Sequence, residues 1–132
     1  MEYISDPPGD IPILAEFLLG EGFKIDSNRG EGSANCVLEF QRHSCGVRVG
    51  ADRGRWWVEL GPGSPTNWFD PDLWEACLDG GSVRSEPSGL EKQISFVMRR
   101  WREVAKAMES ARTLDCLHDA RSRRARQRLG LS

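Results

Sequence analysis

The sequence predicts an α+β domain: a three- to four-stranded antiparallel meander packed against one long helix in the C-terminal half, with two shorter helices at its ends. Three observations carry this. Between Asn35 and Leu60 apolar residues recur at every second position, the period of a half-buried strand. Between Leu90 and Met108 they recur at three and four, the period of an amphipathic helix. The breaker Gly61-Pro62-Gly63-Ser64-Pro65 lies between them and marks the change from one layer to the next.

Taken in order, Asp10 stands before Ile11-Pro12 as a cap ahead of an early-helix proline, and Ile13, Leu14, Phe17 and Leu18 form a stripe that Gly20 and Gly22 end. Phe23-Lys24-Ile25-Asp26 alternates and reads as a short edge strand, with the polar stretch 27–33 as a loop. In the meander, Cys36, Leu38 and Phe40 share one face; so do Cys45, Val47, Val49 and Ala51, and then Trp56, Val58 and Leu60. Arg42-His43-Ser44 and Asp52-Arg53-Gly54 supply the turns. The opposite face carries Val37, Glu39, Gln41, Arg48, Trp57 and Glu59, a mixed set suited to water or a partner. Asp70-Pro71 starts a second short helix whose stripe is Leu73, Trp74, Cys77 and Leu78, closed at Gly80-Gly81. Ser88-Gly89-Leu90-Glu91 has the form of a capping box, ahead of Leu90, Ile94, Val97, Met98, Trp101, Val104, Ala105 and Met108.

After Thr113 the apolar pattern weakens, and Arg121, Arg123, Arg124, Arg126 and Arg128 put five arginines into eight residues. Residues 1–113 therefore read as the domain and residues 114–132 as a basic helix or tail. Residues 99–132 hold 10 basic and 4 acidic groups (+6), and residues 1–98 hold 8 and 16 (−8), so a formal charge of −2 conceals a dipolar chain.

The 132 residues are 39% hydrophobic and 29% charged, the composition of one ordinary globular domain, and a chain of this length buries a sufficient core without metal or disulfide. No apolar run reaches membrane-span length, and the N-terminus has neither the basic nor the apolar region of a signal peptide. The expectation is a cytoplasmic protein, in which Cys36, Cys45, Cys77 and Cys116 are reduced and mostly buried thiols. His43 and Cys45 with Cys116 and His118 have the composition of a Cys2His2 zinc shell. Residues two apart on a helix diverge, so Cys116 and His118 chelate poorly, and no metal or other cofactor is expected.

The catalytic motifs are missing: there is no nucleophile elbow, no phosphate loop followed by Lys-Ser/Thr and no HExxH. A cysteine nucleophile would need a base and a lowered pKa, and the chain offers two histidines with no signature around any thiol. Asp70 and Asp72 are close carboxylates already occupied as helix cap and first-turn residue.

Of five tryptophans, Trp74 and Trp101 fall on helical stripes and Trp56 on the inner strand face, so these are core. Trp68 is placed to staple the second helix. Trp57, flanked in alternation by Arg55 and Glu59, faces outward, where an aromatic beside charges is a common interface anchor. The expected partner surface is thus Glu39, Arg48, Trp57 and Glu59, together with the acidic loop around Asp26 and Glu31. The competing surface is the arginine run 121–128, which would bind nucleic-acid phosphates by counterion release.

The run from Ala51 to Leu60 (ADRGRWWVEL), the segment Asn67–Trp74 (NWFDPDLW) and the long Leu90–Met108 helix resemble small uncharacterised bacterial α+β proteins, mostly actinobacterial. In layout the chain is also similar to immunity proteins of bacterial toxin systems, the likeness covering about half its length. This implies a cytoplasmic single-domain protein that neutralises a co-produced toxin by binding it. Such families share no signature, so the resemblance assigns no residue a role. The basic tail departs from the acidic surface that goes with a nuclease toxin. The expectation is a non-catalytic protein-binding module, of immunity type, with nucleic-acid binding through Arg121–Arg128 as the alternative.

Overall fold

A computed structural model describes residues 9–28, 36–52, 54–62, 67–83 and 86–130, with the side chains at 26–28, 36, 37 and 52 outside the description. The elements are α1 (Asp10–Gly20), β1 (Lys24–Asn28), β2 (Cys36–Arg42), β3 (Cys45–Asp52), β4 (Arg55–Gly61), α2 (Pro71–Asp79), α3 (Leu90–Ala107) and α4 (Ala111–Arg128). The described strands form one antiparallel sheet in the order β1-β2-β3-β4, the meander that period-two alternation implies. His43 and Ser44 join β2 to β3, and Gly54, at φ 80°, lies in the turn into β4.

Alternation places the core as expected. Phe40, Cys45, Val47, Val49, Ala51, Val58 and Leu60 are each no more than 2% exposed. They face a layer in which α3 packs against β4, α1 and α2. The buried arc of α3 is wider than its predicted stripe, taking in Gln93 and Phe96, because neighbours flank it on several sides. Trp56 is only half-buried, as is Leu38. In α1 the buried residues are Ile11, Leu14 and Leu18, with Phe17 packed against the core, whereas Ile13 is 54% exposed. The start of α1 is the first correction, since Gly9 is the N-cap and Asp10 already belongs to the first turn. The expectations for Cys36 on the inner face, Val37 on the outer face and an acidic loop at Asp26 and Glu31 fall on side chains outside the description.

The free edge of β4 is closed by side chains and chain ends from other layers. Leu60 exchanges two backbone hydrogen bonds with Phe69, at 2.9 and 3.0 Å. The buried Gln93 amide accepts from Val58 N–H at 3.3 Å and donates to Ser88 C=O at 2.7 Å. Trp74 Nε1 donates to Leu60 C=O at 3.0 Å. An edge strand covered in this way offers no ladder to another chain. Asp70 caps α2 as its sequence predicts, its Oδ1 accepting from Leu73 N–H at 3.1 Å, with Pro71 at the first helical position. The capping box at Ser88 does not form: Gly89 is the N-cap of α3, Ser88 N–H donates to Asp72, and Ser88 Oγ has no hydrogen-bond partner among the described residues.

The weakly patterned C-terminal segment is the helix α4, docked on α2 through the buried Leu117, Ala120 and Arg124. A Cys77–Cys116 disulfide joins the two helices, with Cα atoms 6.0 Å apart. This overturns the expectation of reduced thiols for that pair. Spacing alone could not reveal it, because two cysteines 39 residues apart pair only once both helices are placed. At the far end of α2, Arg100 of α3 forks onto Asp79 at 2.7 and 2.8 Å and reaches Glu103 at 2.8 Å, holding both carboxyls below their usual range. No helix among the described residues is long and apolar enough to cross a membrane.

Candidate functional site

Opposite the core, the sheet carries a charged row. Register places Glu39 across from Arg48 and Arg48 across from Glu59, so three strands contribute one residue each. Arg48 donates to Glu59 through Nε at 2.8 Å and forms an ion pair through Nη2 at 2.7 Å. Two indoles bracket the guanidinium, which lies 5.4 Å from the Trp57 ring centroid and 4.7 Å from that of Trp68. Two glycines on β3 make this arrangement possible. A Cβ at Gly50 would stand 2.2 Å from Trp57 Cζ2, and one at Gly46 would stand 2.9 Å from Trp68 Cη2. The rings therefore rest against bare backbone, where any other residue would displace them.

The four expected contact residues, Glu39, Arg48, Trp57 and Glu59, thus share one face, with unequal exposure. Arg48 and Glu59 are about one-quarter exposed and available to a partner. Trp57 is half-buried against Gly50 rather than projecting into solvent. Glu39 lies on the outward face, as its strand parity implies, but it is 8% exposed and so offers a partner little surface. Trp68 does not staple α2. It is 4% exposed and crosses to the outward face while Phe69, its neighbour, turns into the core. Alternation at the short Leu60–Phe69 bridge drives that split.

The arginine run meets this face. Arg124, 7% exposed, pairs with Asp70, Nη2 lying 3.3 Å from Oδ1. Arg121 donates to Trp68 C=O and sits 4.2 Å from the Phe69 ring centroid. With Arg128 one turn further, these residues and the Arg48–Glu59 pair line a cleft of about 520 Å³ between α4 and the β4 edge. Arg121, Arg124 and Arg128 stand at i, i+3 and i+7, one helix face. Arg123 faces elsewhere, pairing with Asp119 at 3.1 Å, and Arg126 is exposed. Part of each surface that the sequence offers, Arg48 and Glu59 from one and Arg121, Arg124 and Arg128 from the other, therefore lines one cleft. Sequence could have hinted at this through the i, i+3, i+7 spacing; the participation of Trp68, Phe69 and Asp70 has no local signal.

The protein's described thiol chemistry is quiet. Burial pushes the Cys45 thiol up to about 12, so it is protonated and unreactive at neutral pH. The Cys2His2 set does not assemble, because Cys116 is bonded to Cys77 and His118 packs edge-on to Phe69 at 5.1 Å. Among the described residues no group of three or more His, Cys, Asp or Glu is placed to hold a metal ion. No protein-family model matches the chain, and no curated protein or solved structure matches it either. The cleft's own geometry carries the functional reading.

Proposed function

We propose that the chain is a non-catalytic protein-binding module whose contact surface is the Arg48–Glu59 face and the cleft it forms with α4. One observation carries this: an arginine bracketed by two indoles and three helix arginines converge on a single open cleft, with Trp57 on the sheet face beside it. Aromatic and arginine side chains are the residues that dominate binding energy at protein interfaces. The immunity layout makes a bacterial toxin the expected partner, neutralised by occupation of its surface. No cofactor and no catalytic step enter this reading.

The nucleic-acid alternative is less well supported. A phosphate-binding stripe needs its cations on one accessible face. Here Arg124 is buried on Asp70, and Arg123 pairs along its own helix. Glu59 and Asp70 stand in the same wall.

The reading also places the protein in the cytoplasm. The Cys77–Cys116 bond weighs against that placement, because such bonds persist in oxidising compartments. Alkylation of freshly lysed native cells separates the two: free Cys77 and Cys116 favour the cytoplasm, and a protected pair favours export.

The functional test is capture from native lysate, with nuclease, at low and high salt, using the tagged protein and its Trp57→Ala variant. A protein retained by the parent at high salt and lost by a folded Trp57→Ala supports the reading. Nucleic acid as the captured species, released by salt, transfers function to the arginines. Deleting residues 119–132 would remove Ala120 and Arg124, and with them the docking of α4, so Arg123→Gln with Arg126→Gln is the cleaner probe of that alternative.

A further inference from the structure

Arg48, Arg121, Arg124 and Arg128 line the cleft together with Glu59 and Asp70. Arg48 is committed to Glu59 and Arg124 to Asp70. Arg121 is held differently: it is exposed, and its partners, the Trp68 carbonyl and the Phe69 ring, are both uncharged. Those contacts hold the guanidinium in one place without neutralising it. A guanidinium fixed in this way presents its remaining N–H groups as a fork matched to an oxyanion, and the ordering entropy has already been met by the fold.

We propose that this cleft binds carboxylate side chains of an acidic segment of the partner protein, with Arg121 as the principal anchor. The inference rests on the protein-binding reading and names its chemistry. A peptide fits better than a nucleic-acid backbone for two reasons. Spaced carboxylates can meet Arg121 while avoiding Glu59 and Asp70, whereas a continuous polyphosphate cannot. Apolar residues between them would meet the apolar part of the lining at Phe69, Leu73 and Ala125. The volume of about 520 Å³ lies in the roughly 300–1,000 Å³ range of ligand clefts, enough for a few side chains. The basic cleft also stands against a body that carries −8 over residues 1–98, which would repel acidic segments elsewhere.

Fluorescence anisotropy with a labelled short peptide alternating aspartate and leucine tests this, in the disulfide-bonded protein at low salt. Saturable binding is expected, weakening as salt rises. Arg121→Gln should weaken it about tenfold or more, the scale of a lost charge-assisted hydrogen bond. Arg121→Lys should keep part of it, and the Arg123→Gln, Arg126→Gln double variant should keep all of it. The asparagine counterpart of the peptide should not bind. Equal affinity in a folded Arg121→Gln overturns the proposal, as does tighter binding of a charge-matched single-stranded oligonucleotide, or no peptide binding at all. If the peptide fails while a protein partner is still captured in a Trp57-dependent way, the carboxylate chemistry falls and the protein-binding reading stands. If capture fails as well, both fall.

Discussion

The two faces of one sheet follow different rules. On the inner face each residue's environment is set by its own parity along the strand, and Val47, Val49, Val58 and Leu60 are all covered by helices. On the outer face, local parity decides only which residues point that way. What they meet arrives from a distance in sequence: Trp68 over Gly46, Asp70 under Arg124, Arg121 over Phe69. The inner face is a packing problem solved by size and hydrophobicity. The outer face leaves polar groups half-covered, among them the Arg48–Glu59 pair.

The contrast can be broken most forcefully from the inside. Trp74 is fully buried and its indole N–H serves the β4 edge, so Trp74→Ala should lower unfolding free energy by about 3–5 kcal/mol. A urea titration would show it, and a loss under about 1 kcal/mol would mean the site collapses freely. Next comes the clamp between α2 and α4. Replacing Cys77 and Cys116 by serine opens a loop spanning 39 residues, for which chain entropy gives about 4 kcal/mol, with about 2–4 kcal/mol expected. Added reductant should reproduce that shift in the parent protein and have no effect on the double variant.

On the outer face the effects should be smaller. Gly50→Ala must displace the Trp57 ring, at about 1–3 kcal/mol, and should change tryptophan fluorescence. An unaltered spectrum and stability would mean that the indole does not rest there. Trp57→Ala empties the same position from the other side and should cost about 1 kcal/mol, because the ring is only half-buried, while abolishing partner capture. The smallest effect lies away from both faces. The Arg100 guanidinium holds the Asp79 and Glu103 carboxyls low, so their contribution is present above the ordinary values of 3.8 and 4.5 and is lost as pH falls through the lowered ones. The difference in thermal midpoint between the parent and Asp79→Asn should therefore be present at neutral pH and vanish in acid. Persistence in acid would mean that the aspartate acts by something other than charge.

Much of the fold is legible in the sequence, because it depends on local periodicity and local caps. The inner strand residues, the long α3 stripe, the Asp70-Pro71 start and both hairpin joints are all short-range signals. Where the readings miss, a distant neighbour decides: Gln93 and Phe96 are buried by elements on their flanks, and Ser88 gives its N–H to Asp72 instead of capping. The Cys77–Cys116 bond and the docking of α4 are of the same kind. The candidate site was legible as two separate lists of residues. Their union was not, since it depends on Trp68 and Phe69 turning to opposite sides of β4, where Trp68 meets Arg48 of the sheet and Phe69 meets Arg121 of the helix.

The central claim, that the outer face and α4 form one binding cleft, is tested most directly by the tryptophan indole N–H signals of the nitrogen-15-labelled protein. Each can be assigned by a Trp→Phe variant and followed as the aspartate–leucine peptide is added. The account predicts that Trp57 and Trp68 shift together and saturate with one affinity, while Trp74 and Trp101, in the core, stay still. Stationary Trp57 and Trp68 signals at saturating peptide, or movement centred on Trp101, would contradict it.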